Sequence, residues 1–176
     1  MALAELITLE NTLQLGIIDA LTDKTVNTKA AEVLKRCKSQ DIVPTEAREH
    51  VPEVYGGATS TLIQVEKPAS NFDTPERSVY HEYPECITRI NCYKRIPNWK
   101  AGVTLVGKGR DKGLNELAGA VAYALTNKQI NRSHIACLVN IEDTDPIIEV
   151  NGGKPTGAIA CVTVIFKHRF AINIAS

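Results

Sequence analysis

The sequence predicts an α+β fold: a twisted, mostly antiparallel sheet with helices packed on one face, in a single domain spanning residues 1–176. Apolar residues recur at helical spacing near the start of the chain and again over residues 114–125, whereas other segments alternate at the period of a strand. The segments follow the order helix, short helix, strands, helix and strands. A length of 176 residues with 44% hydrophobic content suits one domain with a sizeable core.

Two helices are predicted before the first long loop. One apolar face indicates an N-terminal helix over residues 1–21; it carries Leu6, Leu9, Leu13, Ile17 and Leu21. A second, shorter helix is predicted over Thr28–Lys38, with Ala31, Val33 and Leu34 as its apolar residues. Prolines and glycines punctuate residues 44–84, which are therefore predicted to be rich in loops, with one strand at "STLIQVEK".

The sheet and the main helix are assigned to residues 85–176. "ECITRINCYKRI" alternates, which predicts a half-buried strand with a polar face that carries Arg89, Asn91, Tyr93 and Arg95 and an apolar face that carries Cys86, Ile90, Cys92 and Ile96. "VTLVG" is predicted as a short strand. The helix follows over residues 114–125, with Asp111 as its predicted N-cap and Asn127 at its end.

The last part of the chain is predicted to consist of strands. "IACLVNIED" and "IIEV" are separated by a predicted turn at Thr144–Pro146, and Asn151–Pro155 forms a second turn. The final strand, Ile159–Ile172, is apolar on both faces before Lys167 and Arg169 appear. A strand of this kind is covered on both sides. One cover is the main helix; the other is either loops of the same chain or a neighbouring subunit.

Composition excludes several broad functions. The formal net charge is zero, which gives no bulk electrostatic reason to bind nucleic acid or a membrane surface. No apolar run approaches the roughly 18 residues of a membrane-spanning helix. The N-terminus carries acidic but no basic residues before its apolar stretch, unlike a signal peptide. The five cysteines form no C-x-x-C pair, which indicates a protein made in a reducing cytoplasm.

The sequence holds no catalytic signature. "HEYPE" has the Glu of a zinc-protease motif, but Glu85 replaces the second histidine and Pro84 excludes a helix interior. Cys86 and Cys92, although near His81, are interpreted as core residues, and His168 as a hydrogen-bonded histidine at the sheet margin. No histidine lies beside an obvious nucleophile. We therefore expect no enzymatic activity, no metal and no cofactor.

One glycine-rich stretch, Gly107–Gly113, leaves an alternative open. Strand, glycine loop and helix together resemble the outline of a dinucleotide-binding unit, but the G-x-G-x-x-x-G loop is one residue too long. The acidic residues after the next strand also lie beyond the usual distance of about 20 residues. The alternative function is a small nucleotide- or ligand-binding α/β domain or enzyme. The loop also carries Lys108, Arg110 and Lys112, which suit contact with phosphate or with a partner's carboxylates.

In its element order, the chain resembles the tail terminator (tail completion) proteins of tailed bacteriophages. The segments that carry the resemblance are the first helix, "HVPEVYGG" or "YHEYPECITRI", "CITRINCYKRI", "LNELAGAVAYAL", "IACLVNI" and "GAIACVTVIFKHRFAI". The match covers most of the chain from Val51 onward plus the first helix, while Thr22–His50 fits less well.

The resemblance implies a structural role without catalysis. Such proteins form a ring, commonly of six subunits, that caps the tail tube, ends tail elongation and presents the head-joining surface. The implied partners are further copies of the chain, the tube protein, the sheath of a contractile tail, the head–tail connector and DNA passing transiently through the bore, with no membrane. The implied location is the tail–neck region of the virion, after assembly in the host cytoplasm.

Two groups of residues become candidates under this resemblance. The candidate bore or partner contacts are basic: Lys108, Arg110, Lys112, Lys167 and Arg169. The candidate subunit-interface residues lie on the second face of the last strand: Ile159, Cys161, Thr163 and Ile165.

Overall fold

Three α-helices and nine β-strands make up the described part of the chain. The computed structural model describes residues 3–46, 61–71, 85–97, 107–108, 111–130, 134–151 and 154–170. The helices are α1 (Leu3–Thr22), α2 (Ala30–Leu34) and α3 (Leu114–Leu125). The strands are β1 (Ile42–Thr45), β2 (Thr61–Glu66), β3 (Ala69–Asn71), β4 (Glu85–Pro97), β5 (Gly107–Lys108), β6 (Asp111–Lys112), β7 (Gln129–Ile130), β8 (His134–Asn151) and β9 (Lys154–Phe170).

One curled sheet dominates the structure. Its strand order is β1-β2-β4-β9-β8-β7, and β3 also pairs with β4. The β1–β2 pair is parallel and every other pair in this sheet is antiparallel, so the predicted mostly antiparallel α+β fold is confirmed. A separate two-stranded sheet, β5–β6, precedes α3.

The helices pack on one face of the sheet, as predicted. The main apolar cluster joins Leu13 and Ile17 of α1 and Val121 of α3 to Val164 and Phe166 of β9. These five side chains have no exposed surface. In β9 the even-numbered residues from 160 to 166 belong to this cluster, because successive side chains of a strand point to opposite faces. The odd-numbered residues therefore lie on the opposite side, which we call the helix-free face.

Several predicted elements are confirmed closely. The predicted helices at residues 1–21 and 114–125 correspond to α1 and α3, the strand in "STLIQVEK" to β2 and the strand "ECITRINCYKRI" to β4. Asn127 takes a left-handed conformation (φ 57°) just beyond α3, as expected for a residue that ends a helix. Residues 103–106 of "VTLVG" lie outside the described residues, as do His81 and Pro84.

The second helix is shorter than predicted. It covers Ala30–Leu34 rather than Thr28–Lys38. Lys38 is extended (φ −85°, ψ 155°) and begins a separate 3-10 turn over Ser39–Asp41. The Asp41 carboxylate accepts a hydrogen bond of 3.0 Å from the Lys38 backbone N–H, which stabilises that turn at the expense of a longer helix.

Two local predictions are wrong. Asp111 is not the N-cap of α3, because it pairs with Lys108 across the β5–β6 hairpin and Gly113 takes the capping position. Thr144–Pro146 is not a turn between two strands: β8 is continuous and contains a register shift between Thr144 and Ile147. A bulge of this kind accommodates Pro146, whose nitrogen cannot donate to the ladder.

The face of β4 predicted to be polar is more buried than expected. Asn91 and Tyr93 are 0% and 1% exposed. β4 lies in the middle of the sheet, between β2 and β9, and Tyr93 packs with Ile159 and Cys161 on the helix-free face. Its second face therefore belongs to a smaller apolar cluster.

Candidate functional site

A row of polar side chains crosses the helix-free face. Gln64 on β2 lies opposite Asn91 on β4, and Asn91 lies opposite Thr163 on β9. The Thr163 hydroxyl donates to Asn91 Oδ1 at 2.7 Å, and Asn91 Nδ2 donates to Glu66 Oε1 at 2.7 Å. These bonds join three strands and satisfy a buried amide, so the row fixes strand register. Side chains of these types, hydrogen-bonded to one another, supply no nucleophile–base pair.

The predicted interface residues all lie on this helix-free face, and all are buried within a single chain. Ile159, Cys161, Thr163 and Ile165 are 7%, 2%, 6% and 8% exposed. Their burial therefore requires no second subunit, which agrees with the alternative of cover from the same chain. A role for these four residues in a subunit contact stays a prediction.

The predicted basic contacts fall in two separate places. Lys108 and Lys112 belong to the β5–β6 hairpin, while Arg110 lies outside the described residues. Lys167 and Arg169 belong to β9, where they lie opposite Cys137 and Ile135 of β8. The two groups thus belong to different sheets, and a shared role at a bore stays a prediction.

The glycine-rich stretch contains a hairpin rather than only a loop. Gly107 pairs with Lys112 and Lys108 with Asp111, and α3 starts directly after Gly113. In dinucleotide-binding units a strand of the main sheet leads through a tight glycine turn into the helix. Here β5 and β6 form a sheet of their own before the helix, which is a different local arrangement.

The outer edge of β8 carries exposed apolar side chains that sequence reasoning missed. Ile135, Leu138, Val139 and Ile141 are 38%, 40%, 58% and 43% exposed. We call residues 135–141 the β8 edge segment. β8 lies next to the end of the sheet, where the two-residue β7 pairs with His134 and Ile135 and the preceding residues Asn127 and Lys128 bond to the backbone of Ala136. The apolar run "IACLV" was visible in the sequence, but its position at a sheet edge depends on strand order.

The thiols of this structure are mostly buried. Cys37, Cys86, Cys92 and Cys161 are buried, and Cys137 on β8 is half-buried. Burial raises the pKa of Cys37 from its ordinary 9.0 to about 12, with Asp41 adding to the effect. The pKa of Cys92 is also raised well above its ordinary value, again mainly by burial. Protonated thiols are poor nucleophiles and poor metal ligands.

Neither a metal site nor a membrane-spanning helix is found in the described ranges. Across them, no group of three or more His, Cys, Asp or Glu side chains is arranged to hold a metal ion. Likewise, none of the helices described has the length and hydropathy needed to cross a membrane.

Comparison with known proteins adds little to this site. No family model and no curated protein matches the chain. Four solved chains match it, and one of them has a TM-score of 0.40 and 10% sequence identity over 80% of this chain and 92% of that chain. A likeness at this level supports no inference about fold or function.

Proposed function

We propose that this chain is a structural virion protein of the phage tail-terminator type. Copies form a ring, six in number, that caps the tail tube, ends tail elongation and provides the head-joining surface around a bore for DNA. The α+β sheet with helices on one face is the fold that the resemblance implies. Fold alone does not specify function, so the proposal needs support from a surface of the molecule.

The observation that carries the proposal is the exposed apolar β8 edge segment. A strand edge offers unpaired backbone groups to another chain, and proteins usually protect it with charges, prolines or cover. Here Leu138, Val139 and Ile141 are 40–58% exposed at such an edge. This surface favours a protein that assembles with other chains over one that acts alone.

The partners follow from the proposed role. They are further copies of this chain, the tail tube protein, the sheath where the tail contracts and the head–tail connector. The protein is made in the host cytoplasm and ends in the tail–neck region of the virion. No catalysis, cofactor or metal is part of this function.

Tail tubes provide the direct test. Purified protein mixed with tubes that lack their cap should bind at one tube end, stop further growth and appear as a ring by negative-stain electron microscopy. A Leu138→Lys, Ile141→Lys double variant should reduce capping, because both exposed side chains lie on the β8 edge segment. Leu15→Lys, at a 57% exposed position on α1, is the matched control and should cap normally. Tubes that keep growing in the presence of the wild-type protein would contradict the proposal.

The basic residues give a separate test of the bore. A conduit must let DNA slide, so contacts from Lys108 and Arg110 would be to phosphate, weak and salt-sensitive. The Lys108→Glu, Arg110→Glu double variant should leave folding intact, which circular dichroism checks. It should yield tails without heads, or particles that fail to deliver DNA. Fully infectious particles would show that the hairpin is a solvated surface, and saturable nucleotide binding that needs Gly107 and Gly109 would favour the alternative function.

A further inference from the structure

We propose that the free protein forms a two-fold pair in which the outer edges of β8 from two copies join in antiparallel register. The β8 edge segment therefore binds the β8 edge segment of a second copy of the same chain. The pairing extends the sheet across the two copies through main-chain hydrogen bonds, as in strand addition. Three features of the chain support this pair: the lengths of the strands at the two ends of the sheet, a bulge in β8 and the positions of the charged residues on β8.

The two ends of the sheet differ in their capacity to pair. At one end β1 has only four residues, and Pro44 within it lacks an N–H donor. At the other end β8 has 18 residues. On its outer side β7 pairs with His134 and Ile135, and the backbone of Ala136 exchanges hydrogen bonds with Asn127 and Lys128. Among the described residues, none pairs with this edge from Cys137 onward. Pairing of a β8 edge with the β1 edge of another copy would therefore be short and interrupted. The partner that matches β8 in length is another β8.

A bulge at Val139 determines which register is possible. Leu138 lies opposite Phe166 and Asn140 lies opposite Ile165, so Val139 has no counterpart on β9. Before the bulge Leu138 shares the helix-covered face with Phe166, and after it Ile141 shares that face with Val164. Even-numbered residues thus face the helices before the bulge and odd-numbered residues do so after it.

When pairing spans the bulge, only one class of register keeps side chains of the same face opposite each other. Across a continuous antiparallel sheet, directly opposite side chains lie on the same face. The register that meets this condition places Leu138 of one copy opposite Ile141 of the other. The two-fold symmetry repeats this contact, and Val139 lies near the axis. Leu138 and Ile141 are 40% and 43% exposed in the single chain, so the pair covers both. On the helix-free face the same register places Cys137 opposite Glu142.

Charge positions favour this antiparallel arrangement over a parallel one. The β8 edge segment is uncharged, and Glu142 and Asp143 follow it directly. In the antiparallel register Glu142 meets Cys137. Asp143 lies just beyond the paired residues, because the backbone of Ala136 is already bonded to Asn127 and Lys128, so no carboxylates face each other. In a parallel in-register pair Glu142 would meet Glu142 and Asp143 would meet Asp143, which is unfavourable.

The two-fold pair is distinct from the proposed ring. A cyclic ring needs two different contact surfaces on each copy, whereas a two-fold contact uses the same surface twice. The pair therefore belongs to the free protein and protects its edge until assembly, and ring formation has to open it. It can be tested on purified protein without tail tubes, so its failure would leave the ring proposal standing, and the reverse also holds.

A disulfide crosslink tests the register. Cys137 is half-buried whereas the other four cysteines are buried, so it is the thiol best placed to react. Opposite residues of antiparallel strands have Cα atoms about 4.5–5.5 Å apart, within the range that a disulfide spans. Glu142→Cys should therefore give a covalent dimer under mild oxidation, seen by non-reducing electrophoresis, and Cys137→Ser in the same chain should abolish it.

The matched control is Asp143→Cys, one residue further along β8 and on the opposite face, which should give no dimer. A dimer from Asp143→Cys but not from Glu142→Cys would overturn the register. A dimer of Glu142→Cys that survives Cys137→Ser would indicate parallel pairing and also overturn it.

Sedimentation velocity tests whether the pair exists at all. The wild-type protein should sediment as a dimer that dissociates on dilution, and the Leu138→Lys, Ile141→Lys variant as a monomer at every concentration. Leu15→Lys should behave like the wild type. Circular dichroism of each variant reports whether it is folded. A wild-type protein that stays monomeric over the whole concentration series would overturn the proposal.

Discussion

The hydroxyl of Thr163 on β9 donates a 2.7 Å hydrogen bond to Oδ1 of Asn91 on β4, across the middle of the helix-free face. Asn91 is fully buried, and its Nδ2 donates to Glu66 Oε1 at 2.7 Å. Each atom of this buried amide thus has a partner on a neighbouring strand. An unpaired buried acceptor keeps the full cost of its lost hydration. Any register that separated Thr163 from Asn91 would leave Asn91 Oδ1 in that state, so the hydrogen bond favours the observed pairing of β4 with β9.

Thr163→Val removes the hydroxyl and leaves Asn91 Oδ1 without this donor. We expect a loss of about 1–3 kcal/mol in the free energy of unfolding, measured by urea denaturation. Thr28→Val, at an exposed position before α2, is the control and should change stability by less than about 0.5 kcal/mol. An unchanged urea midpoint for Thr163→Val would show that the bond contributes nothing to stability.

Phe166 and Val164 test the assignment of the helix-covered face. Both are 0% exposed in the main apolar cluster. Phe166→Ala should cost about 3–5 kcal/mol, since it removes a large buried side chain and leaves a cavity. Val164→Asp should prevent folding, because it places an unpaired charge in the core. Well-folded Val164→Asp protein, as judged by circular dichroism and a cooperative melt, would contradict the assignment.

Thiol reactivity should separate Cys137 from the other cysteines. In native protein one thiol should react rapidly with a disulfide reagent, and the other four only as fast as the protein opens, because they are buried. The absorbance of the released leaving group follows both phases. Cys137→Ser should remove the fast phase alone. A fast phase that persists in Cys137→Ser would mean that a thiol assigned to the core is accessible.

Stability should fall at alkaline pH partly through Cys37. Its pKa is about 12 in the folded chain and near 9.0 when the thiol is exposed, so above pH 9 the unfolded state binds fewer protons than the folded state. The free energy of unfolding therefore decreases from about pH 9 towards pH 12. Cys37→Ala has no thiol to titrate at this position. The difference in free energy of unfolding between the wild type and Cys37→Ala should therefore become smaller between pH 8 and pH 11. A constant gap would contradict the raised pKa.

Gly119 offers a stabilising substitution. It lies in the interior of α3, and a Cβ added there meets no atom within 4 Å. Gly119→Ala should raise stability by about 0.4–1 kcal/mol, because alanine restricts the unfolded chain and favours the helix. Thermal melting of the free protein measures this. A lower melting temperature would show that the alanine methyl group disturbs a contact of the folded chain.

The spacing of apolar residues predicted those helices and strands that are determined by residues close together in the sequence. The apolar spacing of α1 and α3 and the alternation of β4 depend on neighbours in sequence, and Asn127 ends α3 through its own left-handed conformation. The general fold class follows from the order of such elements.

What sequence reasoning missed depends on partners distant in the chain. Pro146 indicated a turn, but pairing with the long β9 keeps β8 continuous, and the proline lies in a bulge between Thr144 and Ile147. Asp111 was an apt N-cap by residue type, yet Lys108 pairs with it in a hairpin. The exposure of Leu138 depends on β8 lying near the end of the sheet, and the spacing of apolar residues carries no information on strand order.

The place of β9 in the middle of the sheet also has a kinetic consequence. β4 pairs with β9 along all but its first residue, from Cys86↔His168 to Pro97↔Gly157, and β8 has β9 as its main neighbour. During translation both strands emerge before the strand that joins them. Closing so long a loop is entropically costly, so we expect the sheet and the core beneath α1 and α3 to form late. The complete sheet therefore has to wait for β9, however early α1 becomes helical.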